Sequence, residues 1–104
     1  MGYKIYTTDE FEKIFNKLDA ELQNQITRAI DQLEKNPYIG KPLGYKFFRE
    51  KKIKNYRIYY LIYENYLVVF VITLSSKKAQ QKTIDAIKHL IPMYKEEIKK
   101  KLNL

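Results

Sequence analysis

Residues 45–74 read YKFFREKKIKNYRIYYLIYENYLVVFVITL, and the way this stretch divides decides the fold. It separates into three runs rich in β-branched and aromatic residues, YKFFREKKI, YRIYYLIY and YLVVFVITL, with the two-residue spacers Lys54-Asn55 and Glu64-Asn65 between them. Such runs predict an antiparallel meander. In a hairpin that turns at Lys54-Asn55, Lys52 pairs with Arg57 and Glu50 with Tyr59, and because side chains alternate across a strand all four share one face. Ile58, Tyr60 and Ile62 take the other face, where they suit packing on helices. Arg57 is therefore expected to face solvent, although it heads an apolar run. Like charges directly opposite one another destabilise a strand pair unless an anion joins them. Lys52 with Arg57 is then either a tolerated surface pair beside Glu50 or half of a phosphate site.

Upstream, YKIYT predicts a first strand over Tyr3–Thr7. Thr8 is placed to cap a helix that carries Phe11, Ile14, Phe15 and Leu18 on one face, and Asp19 to cap a second with Leu22, Ile26, Ala29, Ile30 and Leu33. Asn36-Pro37 stops that helix, and Pro37 to Gly44 reads as the main loop. Downstream, Ser75 or Ser76 caps a last helix with Ala79, Thr83, Ile84, Ile87 and Ile91 on one side, and Pro92 marks a break or kink. Residues 92–104 are expected to form an exposed amphipathic extension. The order β-α-α-β-β-β-α predicts an α+β domain, with helices packed on a small twisted, mainly antiparallel sheet.

The 104 residues fit one domain with one core. With no cysteine and one histidine, His89, disulfides and thiolate chemistry are excluded and a histidine-based metal site or triad is not expected. The longest apolar run, YLVVFVITL, is too short to span a bilayer as a helix, and no apolar signal core opens the chain, so a cytoplasmic protein with no membrane partner is expected. Of the net charge of +8, most comes from two blocks: residues 37–57 hold seven Lys/Arg against one acid, and residues 77–104 hold eight against three. Clustered cations are the footprint of a polyanion such as RNA, and equally of a solubilising lysine surface. Lys41, Lys46, Lys77 and Lys78 are able to extend the basic face, the last two near a helix N-terminus that attracts anions. Tyr59 and Tyr63 are able to stack bases on it.

The element order, the KPL of the loop (residues 41–43), the E-x-K-x-x-x-Y-R run from Glu50 to Arg57, the IYY that follows and VVFVITLSSKK together resemble the RelE/ParE superfamily of toxins from toxin–antitoxin pairs. The resemblance covers roughly residues 3–91. It implies a small endoribonuclease that needs no metal or other cofactor and cuts mRNA in the ribosomal A site, with a RelB-like antitoxin as its partner. In that chemistry the ribose 2′-hydroxyl attacks the adjacent phosphate, so the site needs a base, an acid and cations for the phosphorane. By position the resemblance implies catalytic roles for Arg57, Lys52, Glu50 and Lys77, while RNA contacts are expected on the basic face at Lys46, Arg49, Tyr59 and Lys78. Cations beside Glu50 favour its ionised form and weaken it as a base.

One departure stands out. Ribonuclease members often carry a Tyr or His a short way into the last helix, and this chain has KKAQQKTI there, with Thr83 near the expected place. Two other readings therefore stay open: a ParE-like toxin that inhibits DNA gyrase without cutting RNA, and a non-catalytic RNA-binding domain.

Overall fold

The computed structural model describes residues 2–104. Strand β1 (Lys4–Thr7) leads into helices α1 (Asp9–Asn16) and α2 (Ala20–Lys35). Four strands follow, β2 (Lys41–Tyr45), β3 (Phe48–Ile53), β4 (Tyr56–Tyr63) and β5 (Val68–Ser76), and then one long helix, α3 (Gln80–Lys101). The strands lie in the order β1-β5-β4-β3-β2, with β1 parallel to β5 and the other neighbours antiparallel. The α+β class and its helix–sheet arrangement match the expectation from sequence.

The helix starts follow the expected chemistry. Thr8 accepts a hydrogen bond from Phe11 N at 3.0 Å and donates its own hydroxyl to Ile72 O, so one side chain caps α1 and ties it to β5. Asp19 accepts from Leu22 N at 2.8 Å to open α2. Asn36 ends α2, and its side chain accepts from Tyr38 N to start a 3-10 turn over Pro37–Ile39.

The predicted hairpin register holds, with Lys52 opposite Arg57 and Glu50 opposite Tyr59. A bulge lies one hairpin later, where Tyr59 pairs with Thr73 but Tyr60 pairs with Val71, leaving Ile72 as the extra residue. The extra residue flips the side-chain parity of β5. Leu74 thereby joins the core under α1 and α2, while Ser75, the partner of Arg57, turns to the opposite face.

Both faces of the sheet are covered, which sequence reading did not foresee. Ile58, Tyr60, Ile62, Val69 and Val71 pack under α1 and α2 as expected. Phe48, Tyr59, Leu61, Phe70 and Ile72 form a second core beneath Ile84, Ile87 and Ile98 of α3. The tail past Pro92 is not an exposed extension. α3 runs unbroken through Pro92, which sits at an exposed position, and Ile98 is wholly buried. Tyr94 meets Phe70 edge-on, with ring centroids 6.2 Å apart. The missing proline N–H costs a single helical hydrogen bond on the solvent side, and burial of the apolar stripe outweighs it.

The run beginning at Tyr45 is also divided differently. A turn at Lys46-Phe47 splits it, and residues 41–45, assigned to the loop from sequence, form the edge strand β2. Pro42 lacks a donor for the ladder and is tolerated there because β2 has a neighbour on one side only. Gly44 takes φ +88, a left-handed value that suits glycine at the bend before the turn. Neither Ser75 nor Ser76 caps the last helix. A 3-10 turn at Lys77–Ala79 intervenes, and Ser75 Oγ lies 2.8 Å from the Tyr59 hydroxyl instead.

Candidate functional site: a basic cleft at the end of the second sheet face

Two rungs of the sheet build the site on the α3 side. One runs Lys41–Glu50–Tyr59–Thr73 across β2 to β5, and the next runs Lys52–Arg57–Ser75. α3 begins only at Gln80, so it covers the apolar part of this face and leaves its end open. There Ile39, Gly40, Lys41, Glu50, Lys51, Lys52, Arg57 and Gln80 line a cleft of about 470 Å3.

Arg57 is not the solvent-facing residue expected from alternation. It is only 7% exposed and lies in the lining of the open cleft. Among the described residues its guanidinium makes no hydrogen bond or ion pair, and its Nε is buried without a partner. Glu50, also 7% exposed, is held by Gln80, whose side-chain Nε2 donates to both carboxylate oxygens at 2.9 Å. Lys52 remains exposed opposite Arg57.

The loop forming one wall of the cleft is pinned from beneath. The Tyr60 hydroxyl donates to Pro37 O at 2.6 Å and accepts from Gly40 N at 3.1 Å. Burial pushes the Tyr60 phenol up to about 12, with the Gly40 N–H and Arg49 acting weakly the other way. A side chain at Gly40 would place a Cβ 2.6 Å from Glu50 O, so the wall approaches β3 at a distance that only glycine allows.

The remaining residues singled out from sequence lie around the cleft rather than in it. Arg49 donates from Nη1 to Tyr38 O and Gly40 O at 2.9 and 2.7 Å and from Nε to Lys46 O at 2.8 Å, and it stacks 5.1 Å over the Tyr38 ring. Its donors hold the loop. Lys46 is exposed, with its ammonium 5.3 Å from the same ring. Tyr59 is fully buried, with its hydroxyl against Ser75 and its phenol pushed up by burial, so no base can reach its ring. Tyr63 lies at the far end of β4. Lys77 and Lys78 are exposed in the turn before α3, where Lys77 N donates to Asn55 O at 3.2 Å. Thr83 faces a different hollow between α1, β5 and α3, and His89 is exposed. The described residues contain no group of three His, Cys, Asp or Glu able to hold a metal ion.

Gln80 and Lys41 complete the cleft. Lys41 was legible as a loop cation, although its place opposite Glu50 depends on β2 being a strand. Gln80 carried no signal, because a neutral amide in a helical run looks like any solvated residue until the start of α3 is known.

The arrangement offers a carboxylate and four cations, and suits a phosphate flanked by a hydroxyl. No helix among the described residues is long and apolar enough to cross a membrane. A family model described as the ParE toxin of type II toxin–antitoxin system, parDE, matches residues 5–80. No curated protein matches the sequence. Among solved structures, a mutant of the E. coli toxin RelE in the free state is 23% identical, with a TM-score of 0.73 over 86% of this chain and 99% of that one. A chain of the archaeal RelE–RelB complex from Pyrococcus horikoshii is similar at 18% identity and TM-score 0.65, over 74% and 97% of the two chains. A chain of the intact E. coli RelBE toxin–antitoxin complex matches at 23% and 0.65, over 71% and 95%. At such identities the likeness is one of fold.

Proposed function

We propose that this chain, which belongs to the ParE toxin family of type II toxin–antitoxin systems, is an endoribonuclease that cuts mRNA on the ribosome. The observation that carries this reading is the state of Arg57, a buried cation with no anion of its own among the described residues, beside a buried carboxylate. Native structures rarely leave a buried charge unpaired, and one at the mouth of a basic cleft fits a site completed by a ligand phosphate.

In this mechanism Arg57 and Lys52 hold the non-bridging oxygens of the scissile phosphate and stabilise the charge that grows on them. Glu50 takes the proton of the 2′-hydroxyl, the 2′-oxygen bonds to phosphorus, and the bond to the 5′-oxygen breaks to leave a 2′,3′-cyclic phosphate. The leaving 5′-oxygen needs a proton. The cleft contains no histidine and no available tyrosine, so the ammonium of Lys52 supplies it. Lys41 adds charge on the far side of Glu50, while Lys46, Lys77 and Lys78 hold flanking RNA from outside the cleft.

The expected partner in the cell is an acidic antitoxin segment of the RelB kind, complementary to the net charge of +8, and the expected compartment is the cytoplasm where ribosomes are met. Translating ribosomes incubated with wild type and with Arg57→Ala test the reading. Cleavage at the A-site codon by wild type alone is expected, and equal cleavage by both removes Arg57 from the mechanism.

The absence of a histidine or available tyrosine from the cleft favours one alternative, a family member that inhibits DNA gyrase without cutting RNA. Supercoiling by gyrase that is unaffected by excess protein eliminates it.

A further inference from the structure

Glu50 sits among Lys41 of β2, Lys51 and Lys52 of β3 and Arg57 of β4, yet among the described residues it forms an ion pair with none of them. The usual outcome for a buried carboxylate beside an arginine is a bidentate fork, roughly twice as strong as a neutral hydrogen bond. Here an uncharged amide takes that place, with Gln80 Nε2 at 2.9 Å from both carboxylate oxygens. A carboxylate only accepts, so the amide must present its NH2 and not its carbonyl. The Tyr59 hydroxyl, on the same rung, is engaged with Ser75 and does not compete. Gln80 is the first residue of α3, and the burial of Ile84 and Ile87 one and two turns on fixes where its side chain starts.

We propose that Gln80 is the positioning residue of the cleft: its amide holds Glu50 apart from Arg57, which keeps the carboxylate aimed at the 2′-hydroxyl and the guanidinium open to phosphate. This rests on the reading of Glu50 as the base and of Arg57 as the phosphate clamp. Without the amide, carboxylate and guanidinium pair with each other, and the site loses its base and its anion clamp together.

Gln80→Met keeps the length of the side chain and removes the donor. Gln80→Glu places a second carboxylate against the first, so the pair shares a proton at low pH and regains a donor only there. Gln81→Ala, which removes an exposed bond to Asp85 one residue along, serves as the control. Two quantities are measured across a pH series: cleavage of mRNA on ribosomes, and affinity for a short RNA with 2′-deoxyriboses, which binds but cannot be cut. Gln80→Met is expected to cut about 100-fold more slowly, the usual effect of misplacing a catalytic group. Its affinity for the uncut RNA should fall about tenfold, equivalent to about 1.4 kcal/mol. Gln80→Glu should approach wild type as the pH is lowered, and Gln81→Ala should match wild type throughout.

Wild-type affinity in Gln80→Met, with an unchanged melting temperature, overturns the proposal. So does a Gln80→Glu profile parallel to that of wild type. If wild type binds the RNA and cuts nothing, the nuclease reading fails alone, and the affinities of wild type and Gln80→Met still decide the role of Gln80.

Discussion

Lys52 and Arg57 are direct partners across the β3–β4 hairpin, yet Lys52 stays in solvent while Arg57 is sunk to 7% exposure. In the proposed function the pair divides two tasks that a phosphate site needs, an exposed cation at the rim and a buried one at the base. The buried one carries a cost in folding. Taking an ion out of water without a counter-ion is destabilising, by several kcal/mol when burial is complete, and even whole buried ion pairs are often replaced by apolar side chains at no loss or with a gain of about 1–4 kcal/mol. Arg57→Met should accordingly raise the urea midpoint at an unchanged slope while abolishing RNA cleavage. A midpoint below that of wild type would mean that the guanidinium is already satisfied within the fold.

The same division predicts how binding responds to salt. For single-stranded RNA the logarithm of affinity falls with the logarithm of salt by about 0.7 per neutralised phosphate. Removing one phosphate-contacting cation should flatten the slope by about that amount. Lys52→Ala and Lys41→Ala are each expected to do so with the non-cleavable RNA. Lys100→Ala, at the other end of α3, should leave the slope as it is.

Tyr60 ties the cleft to alkaline stability. Its hydroxyl serves both Pro37 O and Gly40 N, and burial raises its folded value to about 12 from the ordinary 10.0. The unfolded phenol releases its proton first, so the stabilisation is complete below pH 10.0 and is lost as the pH rises toward about 12. Burial raises Tyr63 in the same direction. Tyr60→Phe should shrink this alkaline loss. At neutral pH it should also destabilise the fold by about 1–3 kcal/mol, since two buried backbone groups lose their partner. Denaturation curves at a series of pH values read both effects, and an unchanged alkaline loss would assign it to other tyrosines.

The sequence carried the register of the β3–β4 hairpin because period-two alternation and a two-residue spacer leave few ways to pair Lys52 with Arg57. It carried the caps Thr8 and Asp19 for a similarly local reason. What it did not carry is everything that depends on α3. A lysine-rich stretch interrupted by Pro92 reads as solvent-exposed, and the apolar stripe of Ile84, Ile87, Ile91, Tyr94 and Ile98 finds its meaning only in the second face of the sheet. The burial of Tyr59 and the placing of Gln80 over Glu50 follow from that single docking. β2 was obscured for another reason, since Pro42 and Gly44 are loop signals wherever they stand and only an edge position accommodates both.

The docked tail makes the last prediction. Ile98 lies six residues beyond Pro92 and has no exposed surface, packed in the core that also holds Phe70 and Leu61. Truncating such a side chain removes its burial and leaves a void, which costs about 2–5 kcal/mol. Ile98→Ala should therefore lower thermal and chemical stability by an amount that an exposed extension could not produce, while Lys99→Ala, its half-buried neighbour, should change little. Hydrogen exchange locates the effect. Amides of β4 and β5 should lose protection in Ile98→Ala if the tail is part of the folded core, whereas loss confined to residues 93–104 would make it a separately fraying segment.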